Sequence, residues 1–136
     1  MENQNTDKGT KWMLYTARII ALLWAGFWMF FGIASGIGEG LRLTGILMHV
    51  LLPGLVFLGI ALLAWRWETH GAILFMTIGL IVLIAYPILF GGKFPLSTII
   101  FVDLTMALPP LVAGALLFVA VRKAKAAGLS PLDDEG

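Results

Sequence analysis

Cysteine is absent from this chain of 136 residues. That removes disulfides, thiolate metal sites, cysteine nucleophiles and thiol-linked lipids together. Charge is scarce too: 12% of residues are Asp, Glu, Lys or Arg, against about 25% in an ordinary soluble domain. The formal net charge is +1, too small to make a basic surface for nucleic acid. The motifs of common catalysts are missing as well. There is no HExxH, no glycine-rich phosphate loop, no GxSxG and no paired-aspartate metal motif, and Ser35, Ser97 and Ser130 have no base near them in the chain. The expectation is therefore no enzyme and no cofactor. His49 and His70 lie 21 positions apart, about 30 Å along one helix, too far to hold one haem between them.

What is abundant is apolar surface. Hydrophobic residues make up 60% of the chain, and the mean hydropathy is +0.95. A soluble fold of this size would lack the polar residues to cover itself, and disorder needs the opposite composition. An all-α integral membrane protein remains, as one domain over residues 1–136.

Crossing a bilayer takes about 20 apolar residues, and four segments qualify. They are predicted near 14–37, 43–65, 71–91 and 96–121, between polar tails at 1–11 and 126–136. Short connections force neighbours antiparallel, so the expected fold is an up-down-up-down four-transmembrane-helix bundle. Lys8, Lys11, Arg18, Arg66, Arg122, Lys123 and Lys125 would lie on one side, against Arg42 and Lys93 on the other. Positive charge stays in the cytoplasm, which predicts both termini inside and a plasma (inner) membrane location. Trp12, Trp65 and Trp67 fall at that same boundary, where indoles favour the headgroup level. The charged start, apolar run and Ala34-Ser35-Gly36 also allow a signal-peptide reading, but both the run and the prefix are long for one.

Two segments resemble each other. Leu52-Pro53-Gly54-Leu55-Val56 matches Leu108-Pro109-Pro110-Leu111-Val112, and Arg66 and Arg122 each stand 13 residues beyond the first proline. The reading is two copies of a helical hairpin, with chance similarity of apolar helices as the alternative. Each proline frees the carbonyl four residues earlier, so in lipid those of His49, Leu83, Thr105 and Met106 need other partners.

Membrane helices pack through small residues and polar contacts. At 100° per residue, Arg18, Ala21, Ala25, Gly32, Gly36 and Glu39 share one face of the first span. Ala72, Phe75, Gly79, Leu83 and Tyr86 share one of the third, and Asp103, Ala107, Pro110 and Gly114 one of the fourth. On the second, Gly45, His49, Val56, Ile60 and Leu63 form the stripe. Trp24, Trp28 and Phe31 lie a quarter-turn away and read as packing or lipid-facing surface rather than a cofactor box.

Asp103 is the most informative residue, lying about 11 Å inside the fourth span at helical rise. A carboxylate at mid-span costs about 2.5–3.5 kcal/mol on insertion scales, so it faces the interior and finds a partner or a proton. Glu39, His49 and Tyr86 fall in the same half of the bundle. Together the four are candidates for ligand or proton binding. Two carboxylates and an imidazole would also suit a divalent cation, which leaves a metal undecided. The bland reading is an interhelical hydrogen-bond network. His70 belongs to the loop boundary, and Arg18 either snorkels to headgroups or pairs across the small-residue face.

The Pro-Gly-Leu-Val run leading to Trp65-Arg66-Trp67-Glu68, followed by a Leu-Pro-Pro-Leu-Val last span, resembles small prokaryotic four-span proteins of unknown function over residues 12–125. The resemblance implies a fold and carries no activity. Small multidrug transporters place their essential glutamate in the first span, where this chain has no internal carboxylate. The resulting expectation is a non-enzymatic accessory or scaffold component. Its partners would be the lipid bilayer and a second copy or another membrane protein. The alternative is a small transporter or ligand-binding protein using Asp103 and His49.

Overall fold

A computed structural model describes residues 2–50 and 54–128, with side chains described from Lys8 to Met48 and from Gly54 to Gly128. Five helices follow in order: α1 (Glu2–Gly38), α2 (Leu43–Val50), α3 (Val56–Arg66), α4 (Glu68–Phe90) and α5 (Leu96–Ala126). No strand occurs among the described residues. Among the described residues three helices are long and apolar enough to cross a membrane: α1 from Lys8, α4 and α5; α3 is apolar but shorter. The polar N-terminal segment expected over 1–11 continues α1, which starts at Glu2. The C-terminal tail beyond Gly128 and the first proline of the repeat, Pro53, lie outside the described residues.

The corners explain the helix ends. α1 stops where Gly40 takes a φ of +66°, and the Leu41 amide then bonds back to the Gly36 carbonyl at 3.0 Å and the Gly40 amide to that of Ile37 at 3.0 Å. That is a Schellman closure, and its left-handed residue favours glycine. α3 and α4 are separated by Trp67 alone, with φ −126° and ψ 81°. So sharp a corner needs Gly71, because a Cβ there would run into the backbone of Ala64. Pro95 opens α5 with a φ of −56°, suited to a helix start.

Along α1, Arg18, Trp24, Met29 and Gly36 meet Glu68, Phe57, Gly54 and Ile46 respectively. The partner numbers fall as those of α1 rise, so α2 and α3 run antiparallel to it. The most extensive contact joins α4 to α5; α5 also packs on α1, and α3 on both α1 and α4. Around the bundle the order is therefore α1, α3, α4, α5. Both described chain ends and the α3–α4 corner lie at one end, and residues 39–42 and 91–95 at the other.

The small-residue faces pack as expected on α1 and α5. Ala21, Ala25, Gly32 and Gly36 are buried, as are Ala107, Pro110 and Gly114. Ala72, Phe75 and Gly79 are buried on α4, but that stripe stops there: Leu83 is exposed and Tyr86 half-buried. On the second segment the expected stripe is displaced. Val56 and Leu63 are exposed, while Phe57, Ala61 and Ala64 are buried. A π-helical turn at Gly54–Leu55 accounts for the shift, because each such turn takes in one extra residue and advances the inward face by one position. In the other segment of the proposed repeat, α5 runs as one helix through Pro109 and Pro110.

Most of the core sits in the half nearer the chain ends. Trp24 stacks on Phe57 with ring centres 4.0 Å apart and meets Phe75 edge-on at 6.2 Å, and Trp28 meets Phe57 at 6.3 Å. Ala17, Ala61, Ala64, Ala72 and Leu117 close around these rings. In the other half the helices are less engaged, and among the described residues α2 packs against α1 alone.

Candidate functional site

Two polar features are built into the bundle, one in each half. At the end holding the chain termini, an Arg18 Nη2 donates to Glu68 Oε1 at 2.9 Å. The Glu68 side chain is 9% exposed and that of Arg18 23%. The Arg18 guanidinium also lies 5.2 Å from the Trp65 ring centre, a cation–π distance. Arg18 comes from α1, Trp65 from α3 and Glu68 from the first turn of α4, so the cluster ties three helices together. Arg18 Nε and Glu68 Oε2 are buried without hydrogen-bond partners among the described residues. Arg18 therefore pairs rather than snorkelling. In the sequence Glu68 reads as one more charge in a polar corner; its proximity to Arg18 depends on the Trp67 break. The signal available beforehand was Arg18 on the small-residue face of α1.

The second feature surrounds Asp103. This residue is half-buried on the packing face of α5, and its Oδ1 is fully buried with no hydrogen-bond partner among the described residues. The neighbouring Val102 and Met106 pack against the aromatic core. Tyr86 is half-buried on α4, its ring 4.9 Å from that of Phe90. Glu39 lies exposed in the turn after α1. His49 belongs to α2, but its side chain is outside the described residues. Among the described residues no group of three or more His, Asp and Glu side chains is placed to hold a metal ion. His70 is exposed at the start of α4.

Further buried donors belong to the tryptophans, since neither Trp24 Nε1 nor Trp28 Nε1 has a partner among the described residues. Two hydroxyls on the helices, those of Thr105 and Ser35, are spent locally. Thr105 Oγ1 donates to the Phe101 carbonyl at 2.8 Å and to that of Val102 at 3.1 Å, and Ser35 Oγ to that of Gly32 at 3.3 Å. Between α1 and α5 lies a groove of about 310 Å³, lined by Ile20, Leu23, Trp24, Phe27, Thr105 and Pro109.

Apolar helices of spanning length, small-residue seams and a sparse set of buried polar groups define the class: a helical membrane protein. The chain belongs to the family described as Domain of unknown function (DUF7670), whose model matches residues 5–128. Neither the curated proteins nor the solved structures contain a match.

Proposed function

We propose that the protein is a non-enzymatic accessory or scaffold component of a plasma membrane, crossing it four times with both termini in the cytoplasm. The fourth crossing is α2 and α3 taken together, since the two line α1 from Gly36 to Arg18. The orientation rests on the excess of Lys and Arg at the end holding the termini, where Trp12, Trp65 and Trp67 are all exposed at headgroup level.

The observation carrying the accessory reading is the ring cluster of Trp24, Trp28, Phe57 and Phe75, which fills the space between helices with less than a tenth of each side chain exposed. Translocation would need a polar, openable path there; a close-packed apolar centre serves rigidity and a fixed outer shape. The test is flux in proteoliposomes. Protons, monovalent cations and organic cations should leak no faster than from empty vesicles between pH 5 and pH 8, and in native membranes the chain should run in a particle larger than itself. Flux that depends on this protein would overturn the reading.

One observation favours a second reading, a ligand-binding protein: the Oδ1 of Asp103, unpartnered among the described residues, in the half where, among those residues, α2 contacts neither α4 nor α5. A ligand at 100 times its Kd would stabilise the fold by about 2.7 kcal/mol. A cationic compound that raises the Tm of the wild type and not of Asp103→Asn would establish this reading over the first.

A further inference from the structure

From the groove between α1 and α5 we infer a binding site for one acyl chain of an anionic phospholipid, whose headgroup rests at the end of the bundle that holds the chain termini. The walls are aliphatic and aromatic, and the hydroxyl of Thr105, the one polar side-chain group on α5 there, is already donated to its own helix. A polar ligand would find little to bond; hydrocarbon would lose nothing. The groove exists because Thr105 and Pro109 are short where α1 presents Leu23, Trp24 and Phe27. Its volume is at the lower end of the ~300–1,000 Å³ range of ligand pockets, room for part of a chain and not for a whole lipid.

Depth and charge identify the occupant. Trp12, 72% exposed, lies on the same side of α1 as Leu23, about 20° away around the helix and about 16 Å nearer the chain end. That separation is about half of a ~30 Å hydrocarbon core, the distance from headgroup level to the bilayer centre. A chain anchored beside Trp12 therefore ends in the groove. On α5, Lys123 lies within about 40° of Pro109 around the helix and is exposed. It sets a positive charge above the same channel, where a phosphate with a neutral headgroup leaves one negative charge for it to meet.

Photolabelling tests this. The full chain is reconstituted in phosphatidylcholine vesicles carrying a trace of phosphatidylglycerol with a diazirine at mid-chain, irradiated, and mapped by peptide mass spectrometry. Adducts should fall on Leu23, Phe27 and Thr105 several-fold more often than on Ile84 and Ile88, exposed apolar residues of α4. Thr105→Leu and Leu23→Trp, which fill the groove from opposite walls, should each abolish that excess. Leu23 is 69% exposed, so its variant keeps the fold even if the other does not. Lys123→Gln should bring phosphatidylglycerol labelling down to that of an equally labelled phosphatidylcholine. Even labelling across the exposed helices, an excess that survives both filling variants, or cross-links from position 23 to a second copy would overturn the inference.

Discussion

A charge buried among apolar helices is stable only with its partner, and Arg18 and Glu68 supply each other's. Removing one partner of a buried pair costs about 3–5 kcal/mol, because the other charge is stranded, whereas replacing both with apolar residues is often neutral. Glu68→Leu and Arg18→Leu should therefore each lower the Tm of the purified protein sharply, and the double variant should recover most of the loss. A double variant as unstable as the two singles combined would mean that the pair does not act as a unit. Asp103 is the opposite case. With Oδ1 unpartnered among the described residues, Asp103→Asn strands none of their charges, so under the accessory reading stability should hold or rise in a detergent melt. Glycines divide in the same manner. A Cβ at Gly114 would sit 2.9 Å from the Met76 amide nitrogen and 3.0 Å from the Ala72 carbonyl oxygen, whereas at Gly26 it would meet nothing within 4 Å. Gly114→Ala should cost about 1–3 kcal/mol by forcing α4 from α5, and Gly26→Ala should be neutral or stabilising in the same melt.

At the scale of elements, the corners carry the information that periodicity lacks. Gly40 has open space around its Cβ position and a φ of +66°, so Gly40→Ala tests the backbone alone. The left-handed conformation should cost it about 1–2 kcal/mol, seen as a lower Tm with no change in helix content by circular dichroism. The second segment shows what a single irregular turn does. Counting at 100° per residue places Val56, Ile60 and Leu63 inward; the π turn at Gly54–Leu55 puts Phe57, Ala61 and Ala64 there instead. That turn follows Pro53, whose missing amide was visible in the chain. Its effect on the phase was not, because a proline can be met by a kink, a π turn or a break.

For the whole molecule, the number of crossings decides where the ends lie. Four crossings put both termini on one side of the bilayer; three, with α2 and α3 remaining on the side they start from, put them on opposite sides. The absence of native cysteine makes this direct to measure. Single cysteines at Gly40 and Lys93 should react with an impermeant maleimide from the outside of intact cells, and those at Thr69 and Lys125 only after permeabilisation. Labelling of positions 40 and 69 from the same side would exclude four crossings.

Membrane residence, helical class and the small-residue faces of α1 and α5 were legible in the chain by itself. They follow from composition and from a 3.6-residue period, which are local properties that lipid surroundings enforce on every backbone hydrogen bond. Asp103 was legible for the same reason, as a charge in a long apolar run. Tertiary structure alone decided the rest. It brought Glu68, which looked like a loop charge, to within 2.9 Å of Arg18 across 50 positions. It decided that Trp24 and Trp28 are packing rather than lipid-facing surface, and left the groove beside Thr105 and Pro109. Contacts between distant segments depend on corner angles and on how unequal side chains fill a shared space, and neither is a property of any one stretch of residues.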